Sequence, residues 1–588
     1  MTYKTVWLVD WEFRSVDNER HVEPVCVVAY ELFSRRTLRL WRDLLGNHPP
    51  YDVGEDSILV AYSAAAELSC HLALGWPLPS RVLDLYFEFR NLTSGVFLPY
   101  DEKKKRGLLV ALTYFGLSGI SALAKEQTRA LILRPGDWTE AEKQEILGYC
   151  ESDVIALKAL LPKILPRIKL PYGLYRGRFA SSLARQYVTG IPIDTELFTR
   201  LETYWPAILR QLRAKINETF DVYAGDVFRQ EKFAAWLQRE NIAWPVLDDG
   251  KLSLEDNTFR ALSETHFDTH PQLRELRFVR QLSSRVSLRS LALGSDGFAR
   301  CFMAPFGTIT GRNAPSNSRF IFGFSKALRG LIKPPPGYGI AYLDWGGQEI
   351  GVAAGLSRDV NMMAAYRSGE AYLWFAVQGK LAPKGATKAS HPQIRTVCKR
   401  CMLAVNYGMG AESLAAWIKR PVVFARHLLS LHHQLFPRYW EWVHKMVNFA
   451  MLHNWQASVF GWVNHIPDVK PNACSAQDFL MQANGSEIMR LACCLATESG
   501  LDLCCSVHDA LMIIAPLARL DSDVQKLEAC MAEASRIVLR GFELFVSHKV
   551  IRYPDRYIDE DGLEVWETVL ELLGRMERGE TLNVQLAA

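Results

Sequence analysis

Two acids on one face of a short apolar strand mark the first place where this sequence could do chemistry. In Val6-Trp7-Leu8-Val9-Asp10-Trp11-Glu12 the carboxylates are two residues apart, and the two-residue period of a strand puts both on one face. Paired hard oxygen ligands suit a magnesium ion. Tyr149 and Asp153 are four apart and share a helix face; a carboxylate beside a phenol can complete a metal site and hold an attacking water. In the second half, Asp344 ends the buried-looking strand Ile340–Leu343, and Glu349 follows five residues on. Arg395 and Lys399 share a helix face, with Tyr407 further along the same stripe. Two cations and an aromatic suit a triphosphate and a stacked base. Asp509 stands at a tight hairpin between apolar runs, in Ser506-Val507-His508-Asp509-Ala510. Singly, each pattern is weak. An acid at a strand end is often a turn former, and an Arg–Lys pair at this spacing is often surface.

These residues need elements to hold them. The first third alternates strands (Thr5–Val9, Val25–Leu32, Ser57–Tyr62) with helical stretches, one running to Leu74 and one over Glu140–Leu161, an α/β pattern. Pro162, Pro166 and Pro171 mark a break after it. Residues 197–293 read as helical and charged, with helix-spaced apolar residues over Leu201–Phe220 and Pro271–Leu293. Between Pro271 and Lys333 stand eleven basic residues: Arg274, Arg277, Arg280, Arg285, Arg289, Arg300, Arg312, Arg319, Lys326, Arg329 and Lys333. Only Glu275 and Asp296 oppose them, so the stretch reads as a phosphate-binding surface. Residues 361–460 read as mostly helical, and the C-terminal region as mixed α/β.

The 588 residues are 49% hydrophobic and 22% charged, with a formal net charge of +4. That excludes a disordered or collagen-like chain and leaves a multidomain globular protein. No apolar run is long enough to span a membrane, and the N-terminus lacks a signal-peptide core, so the expected place is the cytoplasm. The 12 cysteines include adjacent pairs in apolar runs, which read as core residues in a reducing compartment. Cys398 and Cys401 form a CxxC without the second pair that a metal knuckle needs, and read as two cysteines on a helix.

Taken together, Asp10, Glu12, Tyr149 and Asp153 resemble the DEDD-type 3′→5′ exonucleases of the DnaQ-like group, in the subtype whose third motif is YxxxD. That resemblance implies an RNase H-like fold. Glu67, in Ala61-Tyr62-Ser63-Ala64-Ala65-Ala66-Glu67-Leu68, stands where the second motif has aspartate, and that motif's Asn and aromatic are absent. Glutamate keeps the charge and adds a methylene, so it can still ligate. Asp84, in Val82-Leu83-Asp84, resembles a residue of a structural strand and is the weaker candidate.

The segments around Asp344, around Arg395–Tyr407 and around Asp509 resemble, in order and spacing, motifs A, B and C of family A DNA polymerases. Thr310-Gly311-Arg312 matches that family's TGR, and Met481-Gln482-Ala483 resembles its MQG. Tyr372, in Glu370-Ala371-Tyr372, takes the place of a triphosphate-binding His. The fold class implied is α/β multidomain: an RNase H-like (DnaQ-like) exonuclease domain over 1–172, then a right-hand polymerase. Its linker and helical thumb would span 173–300, a first palm segment 301–360, fingers 361–460, and a second palm segment with the C-terminal stretch 461–588. No 5′-nuclease domain is expected before the first strand.

What the resemblance implies is a DNA-directed DNA polymerase with proofreading. Asp344 and Asp509 would hold two Mg2+ ions, and Asp10, Glu12, Glu67 and Asp153 two more, with Mn2+ able to substitute. Arg395 and Lys399 would neutralise the triphosphate, and Tyr407 would pack by the nascent pair. Glu349 would block a ribose 2′-hydroxyl. Arg312, Gln482 and His508 would touch DNA. The implied partners are primer–template DNA, dNTPs and single-stranded 3′ ends, with accessory replication proteins unspecified. Leu403, Ala510 and Gly346 depart from the family's usual residues. They suggest a divergent phage branch, and no residue settles whether its genome carries a modified base such as 2-aminoadenine. Two rivals remain: an exonuclease with a decayed polymerase half, and a non-catalytic DNA-binding replication scaffold.

Overall fold

The computed structural model describes residues 3–15, 18–101, 106–118, 122–247, 249–266, 269–283, 288–316, 319–467 and 471–580. Arg285, one of the eleven basic residues, lies outside them.

Apolar strand β1 (Thr5–Arg14) is flanked on both sides. It pairs antiparallel with β2 (Glu23–Glu31) and parallel with β4 (Ser57–Ala61). β3 (Thr37–Trp41) adds to β2, and β5 (Val82–Asp84) lies parallel to β4, giving the order β3-β2-β1-β4-β5. The helices of this region are α1 (Ala64–Ala73), α2 (Leu85–Leu92), α3 (Leu108–Tyr114), α4 (Ala122–Leu133), α5 (Glu140–Ile164) and α6 (Leu170–Thr189). Leu8, Val28, Val60, Leu83, Ile146 and Leu157 are among the residues that fill the core between sheet and helices. Thr139 and Glu142 form a capping box that starts α5.

The expected break after α5 is narrower than the prolines suggest. Pro162 sits inside α5, and Pro171 sits in the first turn of α6. A first-turn proline costs little, because its missing N–H would have no helical partner there. The boundary expected at residue 172 therefore falls inside α6. That helix lies against the sheet so closely that Gly177 has no room for a side chain: a Cβ there would come 1.8 Å from Val82 O. On the same helix, Arg176 forms a buried two-point ion pair with Glu88 of α2, Nε–Oε1 and Nη2–Oε2 both at 2.6 Å.

The second sheet has the order β7-β8-β6-β9, from β6 (Tyr338–Trp345), β7 (Leu503–Val507), β8 (Ala510–Pro516) and β9 (Val546–Arg552). The 26-residue helix Ala473–Glu498 is apolar or small nearly all round and is buried along most of its length. It packs against α6 and the helix Leu520–Val538. Residues 361–460 are mostly helical, as expected, from Val360–Arg367 to Pro437–His453.

The chain divides into two compact units. The five-stranded sheet and most of the second sheet lie in the first, which comprises Met1–Gly190, Met303–Ala314 and Ala341–Lys549. The second comprises Ile191–Phe302, Pro315–Ile340 and Val550–Ala588. It holds the helices Thr195–Phe220, Gln230–Arg239, Asp256–Thr265, Gln272–Ser283 and Leu563–Glu577. Phe233, Trp236, Trp244 and Phe259 form an aromatic cluster there. Within the expected helix over Pro271–Leu293, the described residues form a helix over Gln272–Ser283 and a short 3₁₀ turn at Leu288–Ser290.

Candidate functional site

Two clusters of acids lie on the sheets of the first unit: the first strand runs past the expected end at Val9, so Asp10 and Glu12 stand within it. At the first, β1 delivers Asp10 and Glu12, and α5 delivers Asp153. One carboxylate oxygen from each falls within 4.8 Å of the others. Burial, with the neighbouring carboxylates adding, pushes Asp10 well above the usual carboxylate range; burial pushes Glu12 up to about 8. Glu67, buried at the start of α1, is raised by burial and by the charges of Asp10 and Glu12, and accepts the Trp11 N–H. It stands beside the three-acid group and is not one of its members. Tyr149, on α5, is pushed up by burial and by Asp153. Asp84 has a different task. Its carboxylate accepts from the N–H groups of Ser63, Ala64, Tyr86 and Phe87, so it ties together the starts of α1 and α2.

The second cluster forms on the β7-β8-β6-β9 sheet. Asp344 is the penultimate residue of β6, and Asp509 is in the two-residue turn joining β7 to β8, where His508 takes a left-handed φ of 52°. The Trp345 N–H donates to Asp509 O at 3.3 Å, which fixes the two acids side by side. Burial, then the charge of Asp509, pushes Asp344 up to about 7; Asp509 itself is raised by burial. Asp10, Glu67, Asp153 and Asp344 each keep one oxygen shut from solvent without a hydrogen-bond partner. Bare buried carboxylate oxygens are costly, and a divalent cation is a partner that this all-oxygen donor set fits.

Three further elements carry the remaining candidate residues of the second half. Glu349, in the first turn of the helix Gln348–Ser357, accepts at Oε1 from Tyr407 Oη (3.0 Å) and from Gln482 Nε2 (2.6 Å). Arg395, on the helix Pro392–Asn406, lies 5.3 Å from the Tyr372 ring centroid and pairs with Glu370, Nε–Oε2 2.8 Å. Lys399 is exposed one turn further on. Arg312 sits on a loop pinned from behind, because Arg490 Nη2 donates to Gly311 O and Trp462 Nε1 donates to Ile309 O. The charge of Arg312 reaches Asp509, Tyr407 and Asp478. Cys398 and Cys401 are buried on the Arg395 helix, the bland placement expected of them.

The basic stretch is corrected. Arg274 and Lys326 pair with Asp561, Arg277 with Asp256, Arg289 with Glu202, Arg300 with Asp296, Arg329 with Asp559 and Lys333 with Asp194. Arg280 packs over the Phe228 and Phe259 rings. Except for Asp296, these acids lie outside the stretch, so the run carries less uncompensated charge than its own sequence suggests.

Three residues of these sites were missed. Lys125 of α4 places Nζ 3.1 Å from Asp153 Oδ2. Glu370 faces Arg395. Asp478, one helical turn before Gln482, is raised to about 6 by burial and by Glu349. The i, i+4 spacing of Asp478 and Gln482 was a usable signal; nothing local in the sequence pointed to Lys125 or Glu370.

The family model for DNA polymerase family A matches residues 232–550, more than half of the chain. A thermostable DNA polymerase I of Thermus thermophilus is 22% identical over 384 residues, covering 60% of this chain and 44% of that protein. DNA polymerase I of Aquifex aeolicus is 22% identical over 439 residues, covering 67% and 73%. The match thus spans less than half the length of the Thermus relative. The POL domain of Pol1 from M. smegmatis, solved in complex with DNA primer-template and dNTP, superposes with a TM-score of 0.65. It is 16% identical and covers 92% of this chain and 95% of that one. The matched stretch contains Asp344, Arg395 and Asp509 with the elements that hold them, and the chain belongs to DNA polymerase family A.

Proposed function

We propose that the chain is a template-directed DNA polymerase that adds deoxynucleotides to a primer 3′ end, and that its N-terminal region is a 3′→5′ proofreading exonuclease. The observation that carries this reading is the pairing of Asp344 with Asp509 on one sheet, with the charge of Arg312 reaching Asp509, within a family A chain. The β6–β9 sheet is then the palm, residues 361–460 the fingers, and the helices of 191–302 the thumb. Primer–template DNA and dNTPs are the partners proposed, as in the complex of the mycobacterial POL domain.

Asp344 and Asp509 would hold divalent ions, with Mg2+ the natural choice for an all-oxygen site. Held there, they would supply Lewis acidity at the primer 3′-oxygen and offset phosphate charge. Arg395 and Lys399 bind the triphosphate and stabilise the charge that builds as pyrophosphate leaves; Arg395 exchanges Glu370 for phosphate to do so. Glu349, held by Tyr407 and Gln482, walls off the sugar edge and excludes a 2′-hydroxyl. Arg312, Gln482 and His508 line the DNA side.

For the N-terminal region, the order β3-β2-β1-β4-β5 supports an RNase H-like sheet, with the first three strands antiparallel and the last two parallel to β1. The acids Asp10, Glu12 and Asp153 with Tyr149 beside them are the groups such a nuclease needs to bind metal and orient water. Leu403, Ala510 and Gly346 support placing the chain on a divergent phage-type branch. The gathered polymerase residues disfavour a decayed polymerase half, and two acid clusters disfavour a scaffold.

The test is a labelled primer–template and a labelled single strand, each with Mg2+. The parent extends the first and trims the second. Asp10→Ala with Glu12→Ala is expected to lose trimming by at least about 100-fold and to keep extension. Persistent trimming would place the nuclease site elsewhere.

A further inference from the structure

Arg312 rides on a loop that the N-terminal region holds in place. The loop is anchored at Phe306, which is 1% exposed and takes a left-handed φ of 53°. A bulky residue keeps that conformation only when its surroundings fix it. Here the ring stacks on Trp462 with centroids 4.7 Å apart, and meets Phe87 of α2 at 4.8 Å. The last turn of α2 adds polar clamps. Arg90 Nε donates to Phe306 O at 2.9 Å. Asn91 spends both ends of its amide beside Trp462: Nδ2 donates to Gly461 O at 3.0 Å, and Oδ1 accepts the Val463 N–H at 2.7 Å. Trp462 passes the hold on, since its Nε1 donates to Ile309 O at 2.8 Å. Just past α2, Gly95 lies so close that a Cβ would come 2.1 Å from His465 O.

Beyond these anchors the turn closes on itself. The Arg312 N–H donates to Thr308 Oγ1, and the Thr308 N–H donates to Arg312 O. The turn therefore moves as one piece, and Arg312 points where Phe306 and Ile309 are held. The tie from Arg490 to Gly311 O is the one support that comes from the helix Ala473–Glu498. Arg90 and Asn91 reach their partners across 216 and 370 residues of chain. Asn91 is uncharged and 5% exposed, so it offers DNA nothing to bind and can act on DNA only through the loops it holds.

We infer that Arg90 and Asn91 are positioning residues for primer–template binding: from the N-terminal region they brace the loop that directs Arg312 at the DNA. The inference rests on the reading of Arg312 as a DNA contact. It makes the N-terminal region a working part of the polymerase grip, besides any nuclease role of its own.

The experiment is a double-mutant cycle on the full-length chain. Binding of a fluorescent primer–template is read by anisotropy at one fixed salt concentration, in EDTA so that the strand stays intact. Arg312→Ala is expected to raise Kd about 10-fold, the worth of one direct contact. Asn91→Ala and Arg90→Met should each raise it about 3- to 10-fold, because the Arg490 tie remains and part of the contact survives. In the Arg312→Ala background neither should raise it further by more than about twofold, since the contact they act through is gone. The KM for dNTP at saturating DNA should stay at the parental value in both variants. Asn91→Ala leaves two backbone groups unpaired; if that chain does not fold, Arg90→Met, at a half-buried position, decides alone. If Arg312→Ala weakens binding while the α2 variants bind as the parent does, the brace falls and Arg312 keeps its role. Effects that add in full to that of Arg312→Ala would also overturn the brace, by showing a general structural loss. If Arg312→Ala binds as the parent does, the DNA reading of Arg312 falls and takes the brace with it.

Discussion

Glu349 is the residue whose surroundings say most about selectivity. A carboxylate that accepts from both Tyr407 Oη and Gln482 Nε2 is pinned from two elements, so its position is set before any nucleotide arrives. Truncation removes the wall. Glu349→Ala is expected to raise ribonucleotide over deoxynucleotide incorporation by about 10- to 100-fold, the worth of a steric clash of a few heavy atoms. Gln482→Ala should shift the ratio in the same direction by less, because Tyr407 still holds the carboxylate. Single-nucleotide incorporation of both substrates on one template reads the ratio, and an equal loss on both would reduce Glu349 to a structural acid. The acids also couple the sites to pH. Burial raises Asp344 to about 7 and Glu12 to about 8. These values lie above those of the unfolded chain, so near neutrality the metal-free folded state holds protons that the unfolded state has released. Stability therefore falls as pH rises through this window. The metal-free chain should lose several degrees of Tm between about pH 6 and about pH 8.5, and Mg2+ should restore them at the higher pH, since ligation favours the ionised acids. A calorimetric Tm that climbs over that range without metal would contradict the assignment.

At the scale of elements, the joint between the two sheets of the first unit is α6. Gly177 lets it touch β5, and the Arg176–Glu88 pair locks it to α2. Gly177→Ala puts a methyl into Val82 O and is expected to cost about 3 kcal/mol or more, the upper range for overpacking. Arg176→Met leaves Glu88 buried and unpaired and should cost about 3–5 kcal/mol. Calorimetry on the full chain reads both; a shift of less than a degree in either would show that this joint is looser than its geometry. The helix α6 also shows what local patterning misses. Three prolines read as a break, yet Pro171 fits a first turn and Pro162 a last one, so two long helices nearly abut. β3 was not foreseen: Thr37–Trp41 alternates half-exposed and exposed residues and offers no buried run. By contrast, β1, β2, β4, α1 and α5 were legible, because their apolar periods match one buried face. The acids they carry were legible for the same reason: strand and helix periods fix which residues share a face. Lys125 and Glu370 were not, since each meets its partner only through folding, 28 and 25 residues away along the chain. The basic stretch failed for the same reason in reverse, as its counter-ions Asp559 and Asp561 come from the far end of the chain.

At the scale of the whole molecule, two acid clusters lie in one compact unit on different sheets. They share no ligand: Asp10, Glu12 and Asp153 come from β1 and α5, and Asp344 and Asp509 from β6 and the β7–β8 turn. Mutation should therefore separate two activities. Asp509→Asn keeps the shape of the turn and removes the charge that a metal needs. The most direct measurement is primer extension and single-strand trimming by this variant, side by side with the parent, in Mg2+. Extension is predicted to fall at least about 1,000-fold while trimming stays within about twofold of the parent. Extension at the parental rate would contradict the placement of the polymerase site at Asp344 and Asp509, and loss of both activities together would contradict the separation of the two sites.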